Sequence, residues 1–252
     1  MKIGLCTSFD NLALTERLGF DYIEGSVSSI AEYDEETFGK VSAAVKASAI
    51  ACERVNVLFP GTIKLTGPEA DQKVIDAYLE KAFARVHVLG GTLAVFGSGR
   101  SRAIPAGYSF RRGYQELVRV TRRIGDIAAN HNIVVAVEPL NREETNVINS
   151  VKEGAMLAAD ADHKAVGLLA DLYHMLRENE PVDNIIVVQD LIHTHIALLE
   201  GRGYPLKATK EVEDFFNALK KTGYSGTMSI EGKTDDIERD AAAALAVLRS
   251  RA

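Results

Sequence analysis

Four short segments of this 252-residue chain end an apolar run on a residue able to bind a metal or move a proton. They are Glu138 in Val137-Glu138-Pro139, Asp171 in Leu169-Ala170-Asp171, His195 in His193-Thr194-His195 and Glu231 in Ser229-Ile230-Glu231. A charge at the rim of an apolar core is costly unless it is paired or coordinated. A single Glu or Asp in such a place commonly caps a helix or answers a salt bridge. Four in succession point to a shared partner. Three carboxylates and one imidazole make a fairly hard donor set, suited to one divalent ion such as Mn²⁺, Mg²⁺ or Co²⁺; Zn²⁺ is less favoured without thiolates but stays open. The chemistry that such a set supports is removal of a proton beside a carbonyl. An ordinary carboxylate cannot ionise that C–H at neutral pH unless the ene-diolate is stabilised, as an ion on the carbonyl and hydroxyl oxygens would do. Return of the proton to the opposite face inverts the carbon, and return to the adjacent carbon interconverts aldose and ketose.

A second rank of polar residues lies beside these four. His174 follows Asp171 by three residues and either points into the same cleft or starts a helix with no chemical role. Asn141, Arg142 and Glu144 follow Glu138 and either hydrogen-bond a polyhydroxy substrate or make local turn contacts. His193 shares a strand face with His195 and lies deeper, which suits a hydrogen-bonded core histidine. Cys6 and Glu24 also end apolar runs and are expected at the floor of the cleft, without an assigned task. Gly97-Ser98-Gly99-Arg100-Ser101-Arg102 reads as a lid or an anion-contacting turn, although it lacks the Lys and spacing of a P-loop.

The elements that must position these groups alternate regularly. Strands are expected at 2–5, 21–24, 54–59, 92–96, 133–138, 167–171, 191–195 and 226–231. Most are dense in Val, Ile and Leu, as parallel strands covered by helices should be. Between them, Ile75, Leu79, Ala82, Val86 and Leu89, then Leu117, Val120, Ile124 and Ile127, repeat at helical spacing. Phe215 with Leu219, and Ala241 with Leu245 and Leu248, do the same. Asn130-His131-Asn132 and Gly223 are plausible helix stops, and Pro68 and Pro181 stand where a first helical turn could begin. Eight βα units over residues 1–252 suit a single (β/α)₈ TIM barrel, whose chemistry gathers at the C-terminal ends of its strands. A doubly wound sheet would usually carry a Gly-rich turn after its first strand, and Cys6-Thr7-Ser8-Phe9-Asp10 offers none.

Composition narrows the function classes. A net charge of −6 argues against nucleic acid as a partner. Arg111, Arg112, Arg119, Arg122 and Arg123 cluster, but with Glu116 and Asp126 among them they read as a solvated helix face. No run of about eighteen apolar residues suggests a membrane span, and Met1–Cys6 leads to Asp10 and Glu16 without a signal-like segment. Two cysteines without a CxxC pair read as reduced thiols, so a cytoplasmic setting is expected.

With these residues in view, the chain resembles the xylose isomerase-like barrel superfamily, in its branch of sugar-phosphate isomerases/epimerases and ketose 3-epimerases. The likeness runs over nearly the whole chain. It is carried by Val137-Glu138-Pro139-Leu140-Asn141-Arg142, Asp171-Leu172-Tyr173-His174-Met175, Ile192-His193-Thr194-His195-Ile196 and 223–231. The resemblance implies that Glu138, Asp171, His195 and Glu231 hold the metal, and that Glu138 and Glu231 are the acid/base pair. It also implies that Glu144 and His174 contact substrate hydroxyls and that Arg202 is the arginine following the metal histidine. The expected substrate is a small hydroxy-carbonyl compound, a sugar, and the enzyme is either monomeric or a homo-oligomer. A dehydratase of a cyclic polyol or keto-acid remains the alternative on the same site, because elimination begins with the same proton loss. A non-catalytic sugar-binding barrel has no evident need for two glutamates there. The superfamily's three-zinc DNA-repair endonucleases need histidines after strands three and four, where this chain has Leu58-Phe59-Pro60 and Phe96-Gly97-Ser98.

Overall fold

The apolar repeats spaced at three and four residues become the inner faces of helices. Ile75, Leu79, Ala82 and Val86 are buried on the helix Gln72–Val88, and Leu117, Val120, Ile124 and Ile127 on the helix Phe110–Asn130. The same holds for Phe215 and Leu219 on Lys210–Lys221, and for Ala241, Leu245 and Leu248 on Ile237–Arg249. The computed structural model describes residues 1–252. Eight parallel strands form a closed barrel in chain order: β1 Lys2–Cys6, β2 Tyr22–Ser26, β3 Ala51–Asn56, β4 Leu93–Phe96, β5 Val134–Val137, β6 Val166–Asp171, β7 Leu191–Ile196 and β8 Thr227–Ile230. Closure comes from β1, which pairs with both β2 and β8. This is the (β/α)₈ TIM barrel expected from the alternation of elements.

Strand parity places the polar residues. Side chains two apart on a strand share a face, so Val135 and Val137 pack outward with Leu117, Val120 and Ile124. Ala136 and Leu169 meet inside the barrel, and Glu138 and Asp171 follow them on the same inner face, above the apolar layer.

Seven of the expected strands agree with the structure to within two residues, but the third does not. It ends at Asn56 because Val57 adopts a left-handed conformation at φ 49, which turns the chain out of the ladder. Leu58 and Phe59 are buried, with Phe59 stacked on Tyr78 and edge-on to Phe96. Their apolar character belongs to tertiary packing rather than to a strand. Pro68 and Pro181 likewise open turns and not helices. Asp71 caps the helix that starts at Gln72, and Asn184 starts its helix after a turn closed on the Pro181 carbonyl. The helix stops are as read, with Asn132 and Gly223 at positive φ. The five clustered arginines are exposed on one helix, where Arg112 pairs with Glu116 and Arg123 with Asp76. No helix is long and apolar enough to cross a membrane.

Candidate active site

Glu138, Asp171, His195 and Glu231 converge at the C-terminal rim of β5 to β8, with one ligating atom from each within 4.8 Å of all the others. The ladder sets this register. Asp171 and His195 are paired partners on β6 and β7. Glu138 and Glu231 sit one residue past their strands, and their N–H groups donate to the Phe96 and Ile196 carbonyls. Gly97 makes room for Glu138, since a Cβ there would lie 2.3 Å from Glu138 Oε2.

Three of the four groups are held by a partner outside the cluster that leaves one atom facing the neighbours. Asp171 caps the helix Leu172–Arg177 by accepting from the Tyr173 N–H through Oδ1 at 2.8 Å, while its buried Oδ2 has no hydrogen-bond partner. His195 Nε2 lies 2.9 Å from Glu24 Oε1, so its Nδ1 faces Glu138 Oε1 at 3.1 Å and Glu231 Oε2 at 3.4 Å. Glu231 Oε1 accepts from Asn56 Nδ2 at 3.0 Å, and its Oε2 pairs with the Arg202 guanidinium.

Burial and mutual charge set the protonation of these groups. Burial, reinforced by Glu231, pushes the Glu138 carboxyl up. Burial also lifts Asp171 to about 7, against the opposing pull of Arg202. Glu231 is buried too, but His195 and Arg202 outweigh that and draw it down to about 2. Burial disfavours a charged His195, yet Glu24 and Glu231 hold its pKa well above the usual histidine range.

The cleft above the cluster has a volume of about 490 Å³ and is bordered by Glu138, Glu144, His174, Arg202 and Glu231. His174 is buried, and its Nδ1 accepts from the Asn141 N–H and from Asn141 Nδ2 at 3.1 and 2.9 Å. Its proton therefore sits on Nε2, which has no protein partner and lies 3.5 Å from Asp171 Oδ2. Burial, with Arg202 adding, lowers His174 to about 3 and keeps it neutral. Asn141 is placed behind the cleft wall, where its amide also reaches Glu144 Oε1 and accepts from the Glu143 N–H. Arg202, on a turn joined to the segment after β8 by its carbonyl and the Lys233 N–H, lies over the Tyr173 ring at 4.7 Å. It also approaches Glu144 at 3.8 Å.

The segment 97–102 divides. Ser98 to Ser101 border the cleft, but Arg102 is fully buried and donates to the Phe96 and Ile148 carbonyls, so it braces the core and does not border the cleft. His193 is a buried, hydrogen-bonded core residue, as its place on β7 suggests. One residue of the site escaped the sequence reading, and another was expected there without a task. Asn56 was hidden inside a strand drawn too long. Glu24 showed a signal, a lone carboxylate in the apolar run Tyr22-Ile23-Glu24, without any indication of its partners.

A family model described as Xylose isomerase-like TIM barrel matches residues 12–251. The chain is 25% identical to a D-psicose 3-epimerase of Agrobacterium fabrum, over 85% of this chain and 75% of that protein. It is 28% identical to an L-ribulose 3-epimerase of Methylomonas sp. over 64% of its own length, a stretch spanning 57% of that relative. The crystal structure of a D-psicose 3-epimerase with D-tagatose from Clostridium cellulolyticum H10 superposes with a TM-score of 0.86. It covers 100% of this chain and 99% of that one at 20% identity, a likeness of fold. The chain belongs to the xylose isomerase-like TIM barrel family.

Proposed function

We propose that this protein is a divalent-metal-dependent isomerase of a small sugar, and more narrowly an epimerase of ketoses. The observation that carries the reading is the convergence of Glu138, Asp171, His195 and Glu231 at the floor of an open cleft. The names of its relatives, L-ribulose 3-epimerase and D-psicose 3-epimerase, support a ketose as substrate.

In this reading the four residues hold one ion, Mn²⁺, Mg²⁺, Co²⁺ or Zn²⁺, and the donor set fits. Asp171 Oδ2 is a buried carboxylate oxygen with no hydrogen-bond partner, Arg202 standing 3.6 Å away, and such an atom is costly unless something coordinates it. When bound, the ion would stabilise negative charge developing on the substrate oxygens. The chain's own groups do the rest. Glu138 and Glu231 form the acid/base pair: one carboxylate takes the proton from the carbon beside the carbonyl, and the other returns a proton to the opposite face. Asn56 and Arg202 hold the Glu231 carboxylate in place. His174 Nε2–H donates to a substrate hydroxyl, Glu144 accepts from another, and Asn141 steadies both side chains from behind. Residues 1–252 act as one barrel domain, and the free thiols Cys6 and Cys52 suit the cytoplasm.

The test is a screen of ketoses, aldoses and inososes in D₂O, using chelator-treated protein with and without added Mn²⁺. The expected outcome is metal-dependent deuterium uptake at the carbon beside the carbonyl of a ketose, with the epimer as product. Loss of water from the substrate would replace epimerisation by dehydration. Absence of exchange with every ion and sugar would reject the reading.

A further inference from the structure

Beneath the four candidate ligands lies a second polar layer that the proposed chemistry does not use. Its centre is Glu24, on β2, 1% exposed and reaching across the barrel to β7 and β8. Glu24 Oε1 lies 2.9 Å from His195 Nε2; Oε2 lies 3.0 Å from His193 Nε2 and accepts from the Ser229 hydroxyl. Ser229 in turn contacts the Tyr22 hydroxyl at 2.7 Å, and His193 Nδ1 lies 2.7 Å from Thr227 Oγ1. A carboxylate is an acceptor only, with about four lone-pair sites. With Oε2 taken by His193 and Ser229, the Oε1 acceptor 2.9 Å from His195 Nε2 calls for a proton on that nitrogen.

We propose that Glu24 is a positioning residue for the metal centre: it keeps a proton of His195 on Nε2, so that Nδ1 is the nitrogen that ligates an ion alongside Glu138, Asp171 and Glu231. The inference rests on the proposed metal site and adds to it the group that selects the ligating nitrogen. His193 and Ser229 keep Glu24 from rotating, because both occupy its second oxygen. The imidazole of His195 is thereby held at both ends of its ring, by Glu24 below and by the cluster above. Groups that orient a ligating histidine in this way commonly change metal affinity by about 10- to 100-fold when removed.

Two substitutions separate positioning from plain packing. Glu24→Met keeps the side-chain volume and removes both acceptors. Glu24→Gln keeps one amide oxygen for His195, while His193 can shift its own proton to Nδ1 and donate to the Thr227 carbonyl, 3.0 Å away. The Mn²⁺ affinity of chelator-treated protein is measured by titration calorimetry. Relative to wild type it is expected to fall about 10- to 100-fold in Glu24→Met and by less in Glu24→Gln. In parallel, long-range ¹H–¹⁵N correlation spectra of ¹⁵N-histidine wild-type protein loaded with diamagnetic Zn²⁺ should show His195 protonated on Nε2 and ligated through Nδ1. Equal Mn²⁺ affinity in the wild type and the folded variants would overturn the role of Glu24. So would a His195 ligated through Nε2, a result that needs no variant to fold. A wild-type protein that binds no divalent ion would instead remove the metal site itself, and this inference with it.

Discussion

Gly97→Ala is the substitution whose effect can be worked most directly from the structure. Gly97 follows β4, and a Cβ on it would stand 2.3 Å from Glu138 Oε2 and 3.4 Å from Glu138 Cδ. Real Cβ atoms essentially never approach closer than 3.0 Å, so the carboxylate must retreat by roughly 0.7 Å, and the cleft that Glu138 borders gives it room to do so without unfolding the barrel. The φ of Gly97 is ordinary for an L residue, so backbone strain adds nothing. Displacement of a reacting group by about 1 Å can cost about 10²-fold in rate, equivalent to about 2.7 kcal/mol of barrier. The assay is the rate of deuterium exchange into whichever ketose the wild-type protein accepts, measured beside thermal unfolding of the same samples. The expected result is a fall of about 10²-fold in exchange with the barrel still folded. Exchange within threefold of wild type, or a crystal structure of the variant with Glu138 Oε2 unmoved, would refute the reasoning.

Other expectations follow from the same geometry. Glu138→Gln and Glu231→Gln should each lose about 10²- to 10⁴-fold in exchange rate while unfolding like wild type; near-wild-type turnover in either would remove that residue from the acid/base pair. Metal affinity should depend on pH. Burial lifts Asp171 to about 7, and Glu24 and Glu231 keep the buried His195 protonated above its usual range. Both must give up a proton to ligate an ion, so affinity is retained at high pH and lost as pH falls, by about tenfold or more per unit below pH 7. Calorimetric titrations of Mn²⁺ at pH 5.5 and 7.5 that agree would contradict this.

The barrel was legible in the chain because local rules and global fold agree. Apolar repeats at three and four residues become the buried faces of helices, and dense Val/Ile/Leu runs become strands covered by those helices. The polar residues Glu138, Asp171, His195 and Glu231 were also legible, each standing where an apolar run stops. What the one-dimensional pattern could not supply was their distance from one another. That depends on the register of four separate strands and on barrel closure, which involve contacts among these four residues across 24 or more residues of chain. Asn56 was lost because Val57 at φ 49 ends its strand, and a β-branched residue in a left-handed conformation leaves no trace in composition. Asn141 read as a loop residue that contacts either substrate or its own turn, and only the fold shows its amide directed at His174 and Glu144. Glu24 shows the division most clearly. Its carboxylate on β2 was visible as an anomaly in an apolar run, but its partners lie about 170 to 205 residues away, on β7 and β8. Only closure of the barrel makes that buried charge affordable, by bringing two imidazoles and a hydroxyl to it from across the interior.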